Sequence, residues 1–474
     1  PSPAHNPSGA LSRPKGRTGR GAELGLLILA GIIVTSALVI VELNQSQALK
    51  IELLYYGGGY LAMFALAHLV VRALAPYADP LLLPLVALLN GLGLVMIYRL
   101  DLAEAAKHSD AAAQAPMQLL WTAISLVLFL VTLTVIRDHT SLQQYPYTLA
   151  LAGVAFLALP AMLPSSLSEV NGAKIWIKIP GLLSVQPGEF AKITLIVFAA
   201  AFLVSKRSVL ATAGPRFLGL TLPRARDLGP LLVLLAVTLA VLIVGKDLGS
   251  ALLIFGVLLG MVYMATGRAS WLIIGLAAFA GGAFVAYRLF AHLRLRVDIW
   301  LHPFADPLGD SYQLVQSLFG LGTGGIFGTG LGAGRPDIVP YASTDFIVAA
   351  LGEELGLVGL AAILLAYLLL VGRGLRTGLA ARDNFGSLLA SGLAFSVALQ
   401  VFVIVGGVTG LIPLTGLTTP FLSYGGSSLL ANYIIVALLL RISDSSRRPG
   451  ARRPRRAPVT AAPTTAIPRV GGGR

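Results

Sequence analysis

The chain has 474 residues, 56% of them hydrophobic and only 12% charged, with no cysteine and a formal net charge of +14. Soluble domains carry about 25% charged residues, so a soluble globular enzyme is excluded. The lack of cysteine excludes disulfides, thiolate nucleophiles and Cys-ligated metals. A spanning helix needs about 20 mostly apolar residues, and this chain is rich in such runs: the fold class is an all-α polytopic membrane protein.

In chain order, apolar runs at 24–43, 52–74, 80–100, 117–136, 146–163, 188–205, 228–245, 248–266, 270–290, 345–371, 386–411 and 424–441 predict about twelve spans. Three regions follow: a basic tail at 1–22, one transmembrane domain at 23–441, and an Arg/Pro-rich tail at 442–474. Both tails read as disordered. The excess positive charge sits mostly in them, and beside a membrane that pattern favours topology or anionic lipid over nucleic acid. The first run, from Leu24, is long enough to span and is followed by no small-residue cleavage site, so it reads as a span rather than a signal peptide. With the N-terminus in the cytoplasm, Arg13, Lys15, Arg72, Arg137, Lys206, Arg268, Arg373 and the arginines of the second tail share one side. The positive-inside rule then predicts N-in and C-in with an even number of spans. Both large loops face outward, where no cytoplasmic nucleotide reaches.

The first of these loops, 164–187, contains Asn171–Gly172, a turn signal, and Lys174 and Trp176 in a KIWIK stretch. Trp176 reads either as an interfacial anchor or as part of a substrate surface. Glu189 and Lys192 open the next span three residues apart, on one helix face. In apolar surroundings each charge needs a partner, so Lys192 is expected to pair with Glu189 or with Asp247. Asp247 also has the alternative reading of a helix N-cap.

The large extracytoplasmic loop, 291–344, concentrates polar groups in a charge-poor protein: Arg294, Arg296, Asp298, His302, Asp306, Asp310, Arg335 and Asp337. Asp306 lies between prolines in PFADPLGDSYQ. It reads equally as an Asx-turn residue and as a general base at the membrane surface. The GLGTGG stretch mimics a dinucleotide fingerprint but lacks the flanking strand that motif requires. Its glycines instead suit close backbone approach or a loop folded back into the bundle, and such a loop is expected to be mobile. Thr344–Asp345 reads as a capped helix start. Glu353 and Glu354, inside the following apolar run, should face the interior.

Several stretches together resemble the SEDS family (shape, elongation, division and sporulation), the RodA/FtsW/SpoVE group, from about Pro80 to Arg441. They are VNGAKIWIKI with LLSVQPGEFAK, KDLGS, FADPLGDSYQLVQSLFGLGTGGIFGTGLGAG, TDFIVAALGEELGLVG and LIPLTGLTTPFLSYGGSSLLANYIIVALLLRIS. The segment GAGRPDIVPYAS is most like the RodA members. Three features depart from the family pattern. Ser343 stands where the family usually has His, Lys246 stands where it has Pro, and members commonly have ten spans, so the two N-terminal spans and the tail look like an actinobacterial elaboration.

The resemblance implies an inverting peptidoglycan glycosyltransferase that polymerises lipid II during wall elongation and shape maintenance. It would sit in the plasma membrane with its active site on the extracytoplasmic face, working with a class B penicillin-binding protein and other elongation-complex proteins, and with no nucleic acid. Asp306 looks like the family's proposed catalytic aspartate. Arg294, Arg296, Arg335, Trp176 and Lys174 are candidates for substrate binding, and Glu189, Lys192, Asp247, Asp345 and Glu353 for structural ion pairs. The resemblance is compatible with a divalent cation, Mg or Mn, although no ligand set stands out. A division-type FtsW polymerase and a lipid II flippase are the alternative functions.

Overall fold

The computed structural model describes residues 18–46, 52–107, 112–170, 172–179, 183–206, 216–217, 220–221 and 228–449. Most of the two tails, 1–17 and 450–474, lies outside the described residues.

Helices form over the apolar runs, although only ten of them reach spanning length among the described residues. They are α1 (Arg20–Ser46), α2 (Glu52–Leu74), α3 (Leu82–Lys107), α4 (Ala115–Val135), α5 (Pro146–Met162), α6 (Pro187–Ser205), α7 (Gly229–Val244), α8 (Leu248–Thr266) and α9 (Ala269–Leu289). The shorter α10 (Ala291–Leu301) and α11 (Tyr312–Gly324) follow, then α12 (Ile347–Ala380), α13 (Asn384–Val408) and α14 (Gly426–Arg447). Among the described residues, ten helices are long and apolar enough to cross a membrane, while α5 and α7 are apolar but shorter, at 17 and 16 residues.

The helix limits have local causes. Pro146 and Pro187 sit in the first turns of α5 and α6, where a missing N–H costs nothing. Asp247 and Asp383 accept backbone N–H bonds from Ser250 and Gly386 at the starts of α8 and α13. Gly267, at φ 67°, closes α8 in the left-handed conformation. Helices α3 and α14 are buried along most of their length and lie in the middle of the bundle, whereas α9 buries only Ser270 and Trp271.

One end of the bundle gathers both chain ends. There Arg20 donates to the carbonyl of Ala78, Asp79 takes Arg373 at 2.8 Å and Arg447 at 2.6 Å, and Asp444 accepts the Tyr77 N–H at 2.9 Å. The start of α1 and the finish of α14 therefore share a side. Helix α14 continues to Arg447 with Ile442, Ser443 and Asp444 buried, so the tail assigned to 442–474 begins several residues later than the apolar run suggests.

The opposite end carries the loops. Two antiparallel ribbons, β1 (Glu169–Val170) with β2 (Ala173–Lys174) and β3 (Ile177–Ile179) with β4 (Leu183–Val185), fill the first. In the second, α10 and α11 occupy much of 291–344. Its glycine-rich part is not a free loop. Gly328 accepts no side chain because it meets a break in α12 at Gly356, which has φ 66° and ψ −172°. Across this break Leu357 and Val358 donate to the carbonyls of Gly325 and Ile326, and Thr329 and Gly330 donate to those of Glu353 and Glu354. The freed carbonyls of the broken helix thus find partners in the loop, as buried backbone groups must.

Candidate functional site

Asp306 sits in an exposed turn between α10 and α11. Its Oδ1 accepts the Gly309 N–H at 3.1 Å and its Oδ2 the Asp310 N–H at 3.1 Å. The Asx-turn reading is therefore correct as geometry. It does not compete with a chemical role, because each carboxylate oxygen keeps a lone pair directed outward. The two N–H donors fix the carboxylate's orientation, which a positioned base requires.

Elsewhere in the loop end, the end of α7 and the starts of α8 and α12 bring charges together with α10. Arg296, half-buried, donates through Nη1 to the carbonyls of Leu414 at 3.2 Å and Thr415 at 3.4 Å. Burial lowers its pKa, and the charges of Asp247 and Asp345 oppose that shift. Burial raises the Asp247 pKa, and the Ser250 hydroxyl and N–H offset part of the rise. Asp345 is pushed up to about 6 by burial, against the pull of Arg296. His292 is pushed down by burial and by Arg296 and Lys246. A cation flanked by two desolvated carboxylates is thus built into the loop end.

Asp345 does not cap α12, contrary to expectation: the capping position is Phe346, which makes no side-chain cap, and the Arg296 charge acts on the Asp345 carboxyl. Asp247 does cap α8, and it also lines a narrow cleft, with room for little more than a water molecule, together with Lys174, Gln186, Phe156 and Pro160. Lys246 adopts φ 60°, a value closed to proline, so this turn has a backbone that the family's usual Pro cannot share.

Lys192 pairs with Glu189 at 2.9 Å and donates to Gln400 Oε1 at 2.8 Å. Of its two expected partners, the direct one is Glu189. Among the described residues Glu353 makes no ion pair; it accepts the Arg335 backbone N–H at 2.7 Å. The buried pair is Arg99 with Glu354, at 2.9 Å. Arg335 itself is mostly exposed and bridges to Asp337 at 3.2 Å, which also takes Lys107 at 2.7 Å. Arg294 is exposed on α10. Trp176 is partly buried, with its backbone N–H on the carbonyl of Ser168. The structure thus brings Lys174, Asp247, Arg296 and Asp345 to one region and leaves Arg294 and Arg335 exposed, with Arg335 beside Asp337 instead.

Sequence reasoning passed over Arg99, Glu42 and Gln400. Glu42 accepts the Tyr98 hydroxyl at 2.6 Å in a buried contact. The signal for Arg99 and Glu42 was present: a charge within or near the end of an apolar run needs an internal partner. Among the described residues no three His, Asp or Glu side chains converge as a cation ligand set.

A family model described as a cell cycle protein, FtsW/RodA/SpoVE, matches residues 80–448. The chain is 56% identical over 454 residues to the peptidoglycan glycosyltransferase RodA of Mycobacterium tuberculosis (strain ATCC 25618 / H37Rv), covering 96% of this chain and 97% of that one. Two solved structures share its architecture. One comes from work on structural coordination of polymerization and crosslinking by a peptidoglycan synthase complex, with a TM-score of 0.61, 28% identity, and coverage of 78% of this chain and 99% of that one. The other is a point mutant of the rod shape determining protein RodA of Thermus thermophilus, with a TM-score of 0.52, 25% identity, and coverage of 77% and 97%.

Proposed function

The chain belongs to the FtsW/RodA/SpoVE family of cell cycle proteins, and on that premise we propose how its outer loop performs the family's chemistry. The protein is a peptidoglycan glycosyltransferase of the RodA kind, held in the membrane by many helices. Its substrate is lipid II, whose sugar is α-linked to a polyprenyl pyrophosphate. A β-1,4 product then requires one inverting displacement.

Asp306 is the base that takes the proton from the acceptor 4-hydroxyl. The observation that carries this role is its exposed carboxylate, oriented by the N–H groups of Gly309 and Asp310 at the mouth of the loop end. Pyrophosphate leaves without a general acid, but its charge needs stabilising. Arg296 and Lys174 supply positive charge near the cleft that Asp247 lines, with Arg294 and Arg335 exposed. Trp176 and the adjoining ribbons form one wall of the lipid entrance.

The loop end faces outward in this reading, with twelve crossings and both termini in the cytoplasm. The distribution of Lys and Arg supports this orientation, as does the shared side of the α1 start and the α14 finish. A partner that cross-links the glycan, a class B penicillin-binding protein, completes the machine. The related synthase complex, which coordinates polymerization with crosslinking, supports that pairing.

The test is polymerisation of purified lipid II by the purified protein and by Asp306→Asn. The Asn variant keeps an acceptor for the turn but cannot take a proton. Its rate should fall by a factor of about 10²–10⁴, with an unchanged melting temperature. Near-normal polymerisation by this variant would remove Asp306 from the chemistry.

A further inference from the structure

Helices α1 and α2 precede the residues that match the family model, which begin at 80. Yet the last turn of α1 reaches the glycine-rich loop inside the matched region. The Asn44 side-chain amide donates to the carbonyl of Leu331 at 2.6 Å, and that of Gln45 donates to the carbonyl of Gly332. On its other edge the same peptide is held from within the family core, because the Gly332 N–H donates to Glu354 at 2.9 Å. The fit is steric as well as polar. Gly332 has φ 79°, and a Cβ there would lie 3.1 Å from the Asn44 Cβ and 3.3 Å from the Val41 backbone. Helix α1 therefore closes over a loop position whose positive φ and tight surroundings favour glycine.

The loop is connected to the turn that holds Asp306. Helix α11 runs from that turn, where the Ser311 N–H donates to the Asp306 carbonyl at 3.3 Å, to Gly324, whose carbonyl takes the Gly328 N–H at 2.8 Å. Midway, Ser317 is anchored to the carbonyl of Val408 at 3.1 Å. A helix is stiff, so a shift at its glycine end is carried to its Asp306 end rather than absorbed between them. The break in α12 and the end of α1 are two of the supports of that glycine end.

We propose that Asn44 and Gln45 are positioning residues for glycosyl transfer: the α1 end clamps the 328–334 loop and so holds α11, and with it the Asp306 turn, in productive geometry. This rests on the assignment of Asp306 given above. The clamp makes no contact with the reacting sugars, so its effect falls on turnover rather than on substrate affinity. A displacement of about 1 Å at the chemistry can cost about a hundredfold in rate. Loosening two of several supports should cost less, between about threefold and thirtyfold.

The experiment uses the full chain in detergent with lipid II as substrate. Asn44→Ala/Gln45→Ala removes both donors from exposed side chains. The expected result is a lowered kcat with KM unchanged, a melting temperature within about 2 °C of the parent, and faster amide hydrogen exchange confined to 328–334. Asn44→Gln, which retains a donor, should restore most of the turnover when combined with native Gln45. Wild-type kcat in the double variant overturns the proposal, whether or not exchange accelerates. So does a loss that appears in KM, or one that follows the melting temperature. Failure of the Asp306 assignment has a different signature: Asp306→Asn would remain active while the double variant still lost turnover and loop protection.

Discussion

Arg99 donates through Nε to a carboxylate oxygen of Glu354 over 2.9 Å, joining α3 to α12 at the point where the glycine-rich segment docks. The same guanidinium donates through Nη2 to the carbonyl of Gly334 at 2.7 Å, and the other Glu354 oxygen takes the Gly332 N–H. One buried ion pair thus fastens two helices and a loop. The first prediction is that Arg99→Ala costs about 3–5 kcal/mol, because a buried carboxylate loses its counter-charge. The double variant Arg99→Met/Glu354→Met should recover only part of this, since the Gly332 N–H then has no acceptor. Denaturation in detergent measures both. A double variant as stable as the parent would show that the loop contact contributes nothing.

A second prediction concerns Lys192. Its ammonium is buried, with Glu189 on one side and Gln400 on the other. Lys192→Ala leaves Glu189 charged in a low-dielectric site and should lower stability by about 3–5 kcal/mol. Activity should fall in parallel with the folded fraction. Lost turnover with an unaltered melting curve would instead place Lys192 in contact with substrate.

The helices were legible and the pairs were not, for a physical reason. The ranges read for α2 and α8 coincide with the observed helices because apolar length and local punctuation, such as the Asp247 cap and Gly267, act within a few residues. Asp247 as a cap and Asp306 as a turn residue were legible on the same ground. Arg99 and Glu354 lie 255 positions apart, and no local rule joins them. The end of α14 was misread because polar residues after Arg441 look like solvent-facing chain. In the structure Asp444 and Arg447 are satisfied by Tyr77 and Asp79 in the connection between α2 and α3, so a polar sequence continues a packed helix. The capping pattern at Asp345 fitted locally, yet the N-cap position of α12 is Phe346, and the Arg296 charge that acts on Asp345 comes from a distant part of the sequence. The glycine-rich segment was expected to be mobile on composition alone, yet the carbonyls of a broken helix pin it.

The third prediction is a pH dependence. Asp345 has a folded pKa of about 6 against an ordinary 3.8. The folded state therefore binds this proton more tightly than the unfolded chain. The stabilisation is fully present below about pH 3.8 and is lost as pH rises through about 6. At pH 7.5 the ionised, desolvated carboxylate is a cost, on the order of 3 kcal/mol at 1.36 kcal/mol per unit. Asp345→Asn removes it. Its melting temperature should equal or exceed that of the parent at pH 7.5, and the gap should close as pH falls to 4.5. A gap that widens on acidification would mean that the Asp345 charge stabilises the fold through Arg296 rather than straining it.

The fourth prediction separates the second tail from the bundle. Ending the chain after Pro449 removes only residues outside the described structure. Polymerisation and melting temperature should both be unchanged, because the packed part of α14 is intact. Ending it before Ile442 removes three buried residues, Ile442, Ser443 and Asp444. It also leaves the N–H groups of Tyr77 and Asp79 without the acceptors that Asp444 and Ser443 provide. Asp79 loses Arg447, though it keeps Arg373. Several buried groups are then unsatisfied at once, each worth about 1–3 kcal/mol. A drop of at least about 5 °C in melting temperature should follow. The damage sits at the end of the bundle opposite Asp306, so turnover per folded molecule should survive where the fold does. If the two truncations behave alike, the contacts of the last turns of α14 do not hold the bundle together. If the shorter cut abolishes turnover without unfolding, the two ends are coupled through the helices.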